Sequence, residues 1–540
     1  MNKKYFAIFI LLTCVYAEMF AQLTLSSSQL SFGNVYENSP DSLQLTISNN
    51  TGRNVNVTNI KFYVTYGMPA FSSSSNSFLI NNSSSANVWI RFAPRHNIFH
   101  NSQLVIENDG LNGGVTVDLR GQGKYSKTYY NLSENLVEEN LKTVLGVITG
   151  NGYISLGYNS ARDEMFMSID NKKVNGQGAS QNTLECVYTG RQAVGYTDRA
   201  DCQTNYSFNT EHTFPQSFFN SMEPMRSDLH HLFPSDDAAN SERADNPFGI
   251  VTNPSWNVGG SKSDNITFEP RDLQKGVDAR SLFYFVLRYQ DYSNFVSTQE
   301  PILRTWFWDY LPSTDDKTRN SDINSIQHNR NPFVDYPVFL ERINSITSNS
   351  TATIISSIDI PVDTIIYGMI PISTPVTYNF VVVNDGNVPV NFSNFALSQP
   401  AELSFANLAM DTTLAPGEGL NIGITCNTPA IDSIRAFLTF NTNSTGHVNV
   451  SVPIFINDSI YNGITELDNT FKLYPNPSHD YIKLSFINSN EHRWELSDMT
   501  GKYIQDGTDE TIDVSSFARG IYILKVIQNG SVQNRMIIRE

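Results

Sequence analysis

Most of the polar side chains in the stretch from 209 to 249 are of types that can bind a metal ion or transfer a proton. It contains a Glu-His pair, two further histidines, an asparagine and two arginines, namely Glu211, His212, His230, His231, Asn240, Arg226 and Arg243. Phe, Leu and Pro residues lie between these polar positions. We therefore expect the stretch to be folded and partly buried rather than a solvated loop.

The adjacent Glu211 and His212 can take different roles in one site. A carboxylate suits a hard cation, and a neutral imidazole accepts a proton near pH 7. Asn240 offers a neutral oxygen to Mg²⁺ or Ca²⁺, ions that keep water ligands which substrate oxygens can replace. The stretch has no cysteine, which argues against structural zinc, but a zinc site made of His212, His230 and His231 stays open as an alternative.

Each of these residues also has an ordinary structural explanation. A single histidine is more often part of a core than a catalyst, and Asp228 can simply cap a turn. Arg243 lies one helical turn after Asn240 and can pair with a nearby carboxylate. The concentration of these residues in one short stretch favours the functional interpretation.

The composition of the whole chain indicates several β-rich extracellular domains. The chain has 540 residues, of which 40% are hydrophobic and 16% charged, and a length of this order predicts roughly three to five domains. The net charge of −17 and the pI near 5.0 give no support to broad binding of nucleic acid or membrane surfaces. A polyanion would need a local basic patch or a bound metal cation.

Two further features of the sequence lie before the polar stretch. Residues 1–21 have the layout of a signal peptide, with two lysines before an apolar run too short to span a bilayer. No other apolar run is long enough, so we expect no membrane span in the mature protein. Cys186 and Cys202 could form a disulfide in an oxidising compartment, with two free thiols as the alternative.

The elements that must position the polar stretch follow from hydrophobic periodicity. Apolar residues alternate at period two in 22–125 and in 352–458, which predicts a β-sandwich in each. Helical spacing occurs between them, at 132–148, 273–289 and 302–311. Because these helices and the reactive residues share 126–345, we predict a multidomain chain with an α+β catalytic domain flanked by sandwiches. Residues 471–540 are predicted to form a small β domain.

The flanking domains resemble known families. Residues 471–540 resemble the sorting domain of type IX secretion in the Bacteroidetes group, through the segments 473–477, 496–502, 512–515 and 520–526. This implies export by the type IX machinery and a secreted or cell-surface location. The step Phe92-Ala93-Pro94 and the Gly-x-Gly ending at 121–123 resemble the immunoglobulin-like domains of cilia, centrosome and bacterial surface proteins.

The central domain resembles the endonuclease I family, secreted or periplasmic bacterial nucleases with a ββα-metal site. The resemblance rests on the segments 210–217, 227–234, 240–243, 246–249, 280–285 and 319–335. Matched by position, it implies that His212 is the base that activates water. It also implies that Glu211 and Asn240 bind one Mg²⁺, with Ca²⁺ or Mn²⁺ as alternatives. His230 and Asp228 are expected behind these ligands, where they shape the site.

The sequence departs from the family pattern at a few positions. His231 and Asp245 stand where Asn is usual, and His328 stands where the closing motif has Gly. The segment 216–228 is short and lacks the loop in which some members carry a phosphate-binding arginine. Three arginines could take that role: Arg226, Arg243 or Arg191.

These features together predict a secreted, Mg²⁺-dependent endonuclease that hydrolyses extracellular DNA, with RNA as a possible further substrate. No base-reading helix or basic region is visible, so we expect little sequence preference. The alternative function is that of a surface adhesin or binding protein whose nuclease-like domain is inactive. The flanking sandwiches and the acidic charge favour that alternative.

Overall fold

The computed structural model describes most of the chain, in two compact units. The described residues are 23–64, 68–109, 114–290, 293–368, 375–406, 411–427, 433–457, 471–474, 478–486, 492–498, 502–528 and 531–539. One unit comprises Met1–Ile365, Pro375–Asn427 and Ala436–Pro453, and the other comprises Ile366–Thr374, Thr428–Arg435 and Ile454–Glu540. The predicted signal peptide and the Pro-Asn-Pro of the sorting motif lie outside the described residues. None of the described helices is long and apolar enough to cross a membrane.

The first region of the chain forms two sheets around one core. Its strands are β1 (Leu23–Leu25), β2 (Gln29–Tyr36), β3 (Asp41–Asn49), β4 (Val55–Phe62), β5 (Phe71–Ser73), β6 (Phe78–Ile80), β7 (Ser85–Phe92), β8 (Phe99–Asn108) and β9 (Val115–Lys124). The sheet orders are β1-β3-β7-β5 and β2-β9-β8-β4-β6. In β7, Val88 and Ile90 are buried in this core while Trp89 between them is exposed, as period-two alternation predicts.

Two close backbone approaches explain the Gly-x-Gly ending of this region. A Cβ atom at Gly121 would overlap the ring of Phe92, and one at Gly123 would overlap the backbone carbonyl of His96. Any larger residue would therefore push β9 away from the turn that follows β7. The motif read from the sequence marks a packing requirement.

The central region mixes helices and short strands. Its elements are α1 (Glu138–Gly150), α2 (Tyr158–Glu164), β10 (Thr183–Glu185), β11 (Gln192–Val194), α3 (Arg199–Tyr206), β12 (Phe208–His212), β13 (Leu232–Asp236), α4 (Asp237–Arg243), β14 (Trp256–Val258), β15 (Ser261–Ser263), β16 (Phe268–Glu269), α5 (Asp272–Tyr289), α6 (Ser293–Ser297), α7 (Glu300–Asp309), α8 (Thr314–Gln327) and α9 (Pro332–Asp335). A π-helical turn, Met165–Ile169, continues α2, and 3₁₀ helices occur at Thr128–Ser133, Gln216–Phe219, Met225–Ser227, Leu229–His231 and Pro337–Arg342.

Helix α5 is the centre of this region. It is buried on nearly all sides, and α1, α7 and α9 pack against it. Its buried side chains include polar ones, such as Asp278 and Arg280, as well as apolar ones, such as Leu282 and Phe285. The predicted helices at 273–289 and 302–311 correspond to α5 and α7. The predicted helix at 132–148 starts later, at Glu138, because the preceding Thr128–Ser133 adopts a 3₁₀ helix.

The first β region packs directly on the central region, within the same compact unit. Tyr125 stacks on Tyr336 with 3.8 Å between ring centroids. The buried Arg342 donates to Oδ1 of Asn97 at 2.8 Å. These contacts are buried and aromatic, so the two regions form one continuous body rather than two tethered domains.

The remaining strands form two further β regions. In the first they are β17 (Ile365–Gly368), β18 (Val376–Val383), β19 (Val390–Leu397), β20 (Leu403–Phe405), β21 (Thr412–Leu414), β22 (Gly419–Cys426), β23 (Ile434–Thr442) and β24 (Asn449–Ile456). One sheet has the order β18-β22-β20, and another includes β24-β23-β19-β21.

The C-terminal region contains β25 (Phe471–Tyr474), β26 (Tyr481–Phe486), β27 (His492–Asp498), β28 (Tyr503–Gly507), β29 (Thr511–Asp513), β30 (Gly520–Gln528) and β31 (Ser531–Arg539). Its sheets have the orders β25-β26-β29 and β28-β27-β30-β31. Leu484, Trp494, Leu496 and Leu524 from both sheets share one core. The predicted β domain at the C-terminus therefore has its own hydrophobic core.

Candidate active site

Two strands and a short helix hold the polar residues of the central stretch. β12 and β13 pair antiparallel, with Glu211 opposite Phe233 and His212 opposite Leu232. α4 follows β13 directly, and the side chain of Asp236 caps it by accepting from the backbone N–H of Ala239 at 2.8 Å. α4 packs on both strands. Two of the predicted site residues thus lie at the end of β12, and a third lies on the helix that covers it.

Glu211 is a buried carboxylate with one oxygen occupied. The hydroxyl of Tyr188 donates to its Oε1 at 2.9 Å, and Nε of Arg243 lies 3.1 Å from the same oxygen. Its Oε2 has no partner among the described residues. Burial raises the pKa of Glu211 to about 7, although Arg243 and Tyr188 act to lower it. A carboxylate whose charge is poorly compensated, and which has a free oxygen, is suited to a cation.

Asn240 lies on α4, one helical turn before Arg243. Arg243 is three residues further along the helix, so the two side chains share a face, and Arg243 reaches Glu211. The Asn240 side chain is partly exposed and makes no hydrogen bond with another described residue. Its carboxamide oxygen is therefore available as a ligand.

The available donors are oxygens, which fit a hard divalent cation. Within the described part of the chain, no three or more His, Cys, Asp and Glu side chains are grouped so that they could hold a metal. Glu211 and Asn240 would supply two oxygens and leave the other coordination positions to water and substrate, as Mg²⁺ prefers. The free oxygen of Glu211 and the free carboxamide of Asn240 meet that requirement.

His212 has a defined tautomer. Its Nε2 lies 3.2 Å from the backbone carbonyl oxygen of Arg226. Because a carbonyl can only accept, Nε2 carries the proton and Nδ1 carries the lone pair. Burial lowers the pKa of His212 well below its ordinary value, and the neighbouring positive charges act in the same direction. The imidazole is thus neutral at pH 7 and has one nitrogen free to accept a proton.

His230 and His231 are held in the core. Nε2 of His230 faces the backbone carbonyl of Asn329 at 3.3 Å, and Nε2 of His231 donates to the carbonyl of Met225 at 2.6 Å. Burial lowers the pKa of each to about 4. The His212 and His231 rings lie 5.4 Å apart, but these hydrogen bonds point their Nε2 atoms at separate carbonyls. The arrangement gives no support to a zinc site made of the three histidines.

Asp228 is the centre of a buried hydrogen-bond network. Its Oδ2 accepts from Arg288 Nη1 at 2.9 Å and from the hydroxyls of Tyr284 at 2.8 Å and Tyr289 at 2.9 Å. Its Oδ1 accepts from the backbone N–H of His230 at 3.1 Å and so caps the following 3₁₀ helix. Burial acts to raise the pKa of Asp228, but Arg288 and the hydrogen bonds lower it to about 2.

A comparison with protein families identifies the family of the domain that contains this site. The family model described as Endonuclease I matches residues 137–338. Residues 137–338 are an Endonuclease I domain. The match contains β12, β13 and α4 together with α5, so the site residues lie inside it. The domain is accordingly a hydrolytic nuclease.

Two similar proteins have related names. Two proteins named "Extracellular ribonuclease" are similar to part of this chain. That of Bacillus subtilis (strain 168) is 26% identical over 234 residues, which are 40% of this chain and 78% of that protein. That of Bacillus amyloliquefaciens is 27% identical over 239 residues, with the same two shares of 40% and 78%.

The C-terminal region indicates where the protein is transported. A second family model, Secretion system C-terminal sorting domain, matches residues 472–539, which shows export by type IX secretion. Among solved structures, the PapD-like domain 7 of human CEP192 is similar over 23% of this chain and 100% of that domain, at 15% identity and a TM-score of 0.19. A score of this size does not assign a fold.

The three candidate phosphate-binding arginines differ in the hydrogen bonds that their side chains make. Arg243 is fully buried, and its Nη1 and Nη2 donate to the carbonyls of Ala244 at 2.8 Å and Thr213 at 2.6 Å. Arg243 is thus engaged with the backbone and with Glu211, and this geometry gives no support to the predicted phosphate-binding role. Both Nη atoms of Arg191 also donate to backbone carbonyls. Arg226 alone of the three makes no side-chain hydrogen bond with a described residue.

The predicted disulfide is not formed. Cys186 and Cys202 are both free, buried thiols. Cys186 Sγ lies 3.7 Å from Ser235 Oγ and accepts from the backbone N–H of Thr189 at 3.4 Å. Cys202 lies on α3, where burial raises the pKa of its thiol to about 12. Each sulfur is thus packed as a small buried group, which is the alternative that the sequence left open.

Two departures from the family pattern have a visible structural setting. His328 ends α8 in the left-handed region, with φ of 60°, which is a conformation that favours glycine. The usual Gly at this position is therefore explained, and His328 is an exposed exception. Asp245 accepts from Ser217 Oγ at 2.7 Å.

Several residues of the site were not found from sequence. Tyr188 and Arg288 hold the two buried carboxylates, but each lies far from its partner along the chain. Arg162 and Tyr158 lie on α2 near His212, with 5.6 Å between the Tyr158 and His212 rings. The only available signal was an aromatic and a basic residue four apart, which is too common to single out.

Proposed function

We propose that the Endonuclease I domain hydrolyses phosphodiester bonds of nucleic acid outside the cell, with one bound Mg²⁺ and with His212 as the general base. The observation that carries this proposal is the end of β12. There the free Oε2 of Glu211 and the free Nδ1 of His212 belong to adjacent residues. One group suits a cation and the other suits a proton, which are the two needs of metal-assisted hydrolysis.

Glu211 and Asn240 would hold the ion, and Tyr188 and Arg243 orient the Glu211 carboxylate. When bound, the ion supplies charge stabilisation to the phosphate and to the leaving 3′ oxygen. Nδ1 of His212 accepts the proton of the attacking water, since Nε2 is committed to the Arg226 carbonyl. β12, β13 and α4 would be the elements of the proposed ββα-metal arrangement, and the antiparallel pairing of β12 with β13 supports that proposal.

Both DNA and RNA are substrates under this proposal. A mechanism in which water attacks the phosphorus does not use the 2′-hydroxyl, so the lack of that group in DNA does not prevent cleavage. The names of the two Bacillus relatives support RNA cleavage. No base-reading helix or basic region is visible in the sequence, so we expect cleavage without marked sequence preference.

We also infer the roles of the flanking regions. Residues 1–21 act as a signal peptide, and 22–125 and 352–458 are immunoglobulin-like sandwiches on either side of a catalytic domain at 126–345. The two sheets around one core in the first region support this division. Residues 471–540 carry the protein across the outer membrane.

A nicking assay tests the proposal. Supercoiled plasmid and a labelled RNA are incubated with the protein, with Mg²⁺ or with excess EDTA. We expect cleavage of both with Mg²⁺ and none with EDTA. His212→Ala should lose activity, whereas His328→Ala, at the exposed end of α8, should keep it. Absence of cleavage by folded protein with Mg²⁺, Mn²⁺ or Ca²⁺ would reject the nuclease activity and favour a binding protein with an inactive domain.

A further inference from the structure

Two arginines lie beside His212 without a carboxylate partner. The guanidinium carbons of Arg226 and Arg162 lie 4.0 and 4.2 Å from the centroid of the Tyr158 ring. That ring lies 5.6 Å from the His212 ring. One aromatic side chain next to the base therefore contacts both positively charged groups.

These two guanidinium groups are unusually free of partners. Arg162 donates one hydrogen bond, from Nη2 to Oδ1 of Asn159 at 2.8 Å, and Arg226 donates none to a described residue. The Nε atom of each is buried and has no partner. In the part of the chain that the structure describes, neither residue forms a salt bridge. By contrast, the nearby Arg199 pairs with Asp163 at 2.6 Å.

Among the described residues, no carboxylate forms a salt bridge with Arg162 or Arg226, so their two positive charges are not neutralised. Burial lowers the pKa of Arg162, and the positive charges of Arg199 and Arg226 lower it further. Two like charges that contact the same partly buried ring repel each other, and a bound anion offsets that repulsion. An uncompensated positive pair is conspicuous in a chain with a net charge of −17. Cation–π contact with Tyr158 orients the guanidinium groups without neutralising them.

We infer that Arg162 and Arg226, oriented by Tyr158, form the subsite that binds a phosphate of the nucleic-acid strand next to the bond being cut. This inference rests on the proposed function. Arginine suits the task because its fixed fork of N–H groups matches phosphate oxygens. The backbone carbonyl of Arg226 also holds Nε2 of His212. A phosphate bound by the Arg226 side chain is therefore placed in a fixed relation to the base.

Binding at different salt concentrations tests the subsite. Arg162→Gln and Arg226→Gln are compared with Arg120→Gln, which makes the same change of net charge at an exposed position of β9. Anisotropy of labelled single-stranded DNA is followed in EDTA, so that nothing is cut. Each lost phosphate contact should reduce the steepness of log K against log salt by about 0.7. We expect that reduction for the two site variants and none for Arg120→Gln.

Steady-state kinetics give a second readout. Loss of a charge-assisted contact should raise KM on the order of tenfold in each site variant, with a smaller change in kcat. Arg226→Lys keeps the charge, so it should keep the salt dependence while losing part of the affinity. A purely structural role for Arg226 predicts the opposite, with lower stability and an unchanged salt dependence.

A third measurement does not depend on the folding of the Gln variants. The Nε–Hε signals of Arg162 and Arg226 in the unaltered protein are assigned from the Lys variants. Both should shift on titration with a dinucleotide or with inorganic phosphate. Unshifted signals, or folded Gln variants with the salt dependence and KM of the unaltered protein, would overturn the subsite. Those results would leave the nuclease proposal standing, because that proposal fails only if the unaltered protein does not cut nucleic acid.

Discussion

The domain contains two buried carboxylates that are built from the same parts and behave in opposite ways. Glu211 and Asp228 are each held by an arginine and by tyrosine hydroxyl donation. Yet the pKa of Glu211 is raised to about 7, because burial outweighs its partners. The pKa of Asp228 is lowered to about 2 in spite of burial.

The difference lies in how many acceptor positions are used. Asp228 accepts on both oxygens, from Arg288, two tyrosines and the backbone N–H of His230. Glu211 accepts on Oε1 only. A saturated carboxylate stabilises the fold, whereas one left with a free oxygen in a buried place has a charge that only a further cation would compensate. This difference supports the proposal that Glu211 belongs to the functional site.

The largest expected effect is on stability, at Asp228. Asp228→Asn leaves the buried Arg288 without its counterion, so the free energy of unfolding should fall by about 3–5 kcal/mol. Glu211→Gln is the matched variant and should change it by no more than about 1 kcal/mol at pH 6. The reason is that a carboxyl with a pKa of about 7 is already largely protonated there. Denaturant unfolding without metal measures both, and equal losses would remove the contrast.

Activity should show the reverse order. Glu211→Gln removes a proposed metal ligand, so cleavage should fall on the order of 10³-fold at low Mg²⁺ and partly recover at high Mg²⁺. Asp228→Asn, assayed well below its melting temperature, should lose far less and show no recovery with Mg²⁺. A Mg²⁺-dependent rescue of Asp228→Asn would contradict its assignment to the fold.

Acid should affect the Asp228 network specifically. A carboxyl whose pKa is depressed in the folded state stabilises the fold above its unfolded pKa and loses that contribution as pH falls through the folded pKa. For Asp228 the contribution is present above about pH 4, amounts to roughly 2–3 kcal/mol and is lost between about pH 4 and pH 2. The difference in unfolding free energy between the unaltered protein and Asp228→Asn should therefore shrink across that window. A difference that does not vary with pH would be inconsistent with the depressed pKa.

The smallest effect concerns one hydroxyl. Tyr188→Phe removes the hydrogen bond that orients Oε1 of Glu211, and loss of such an orienting partner should weaken metal binding by roughly tenfold. Tyr284→Phe removes the equivalent donor from Asp228 and should leave metal affinity unchanged. Calorimetric titration with Mn²⁺ compares the two variants.

The sequence was sufficient to predict those elements and site positions that depend on a local pattern of residues. β7 and α5 follow from periodicity, and the positions of Glu211, His212 and Asn240 follow from motifs. α8 was missed because it is largely polar, and only its Ser313-Asp316 capping box marks it. Sequence also could not tell that Asp228 is saturated and Glu211 is not.

Long-range contacts account for the rest. The three side chains on α5 that donate to Asp228 lie 56–61 residues away from it, and Tyr188 lies 23 residues from Glu211. No local pattern specifies such pairs, since they depend on tertiary packing, such as that of α5 against the 3₁₀ helix Leu229–His231. The same limit applies to Cys186 and Cys202, whose spacing permitted a disulfide that their packing does not form.

Metal titration of Glu211→Gln and His212→Ala tests the central claim most directly. Binding of Mn²⁺ is measured by calorimetry on folded protein, and cleavage is measured in parallel over a range of Mg²⁺. We predict that His212→Ala binds metal as the unaltered protein does and cleaves about 10²–10⁴-fold more slowly at every metal concentration. Glu211→Gln should bind metal weakly. Loss of metal from His212→Ala with full retention in Glu211→Gln would contradict the assignment of ligand and base.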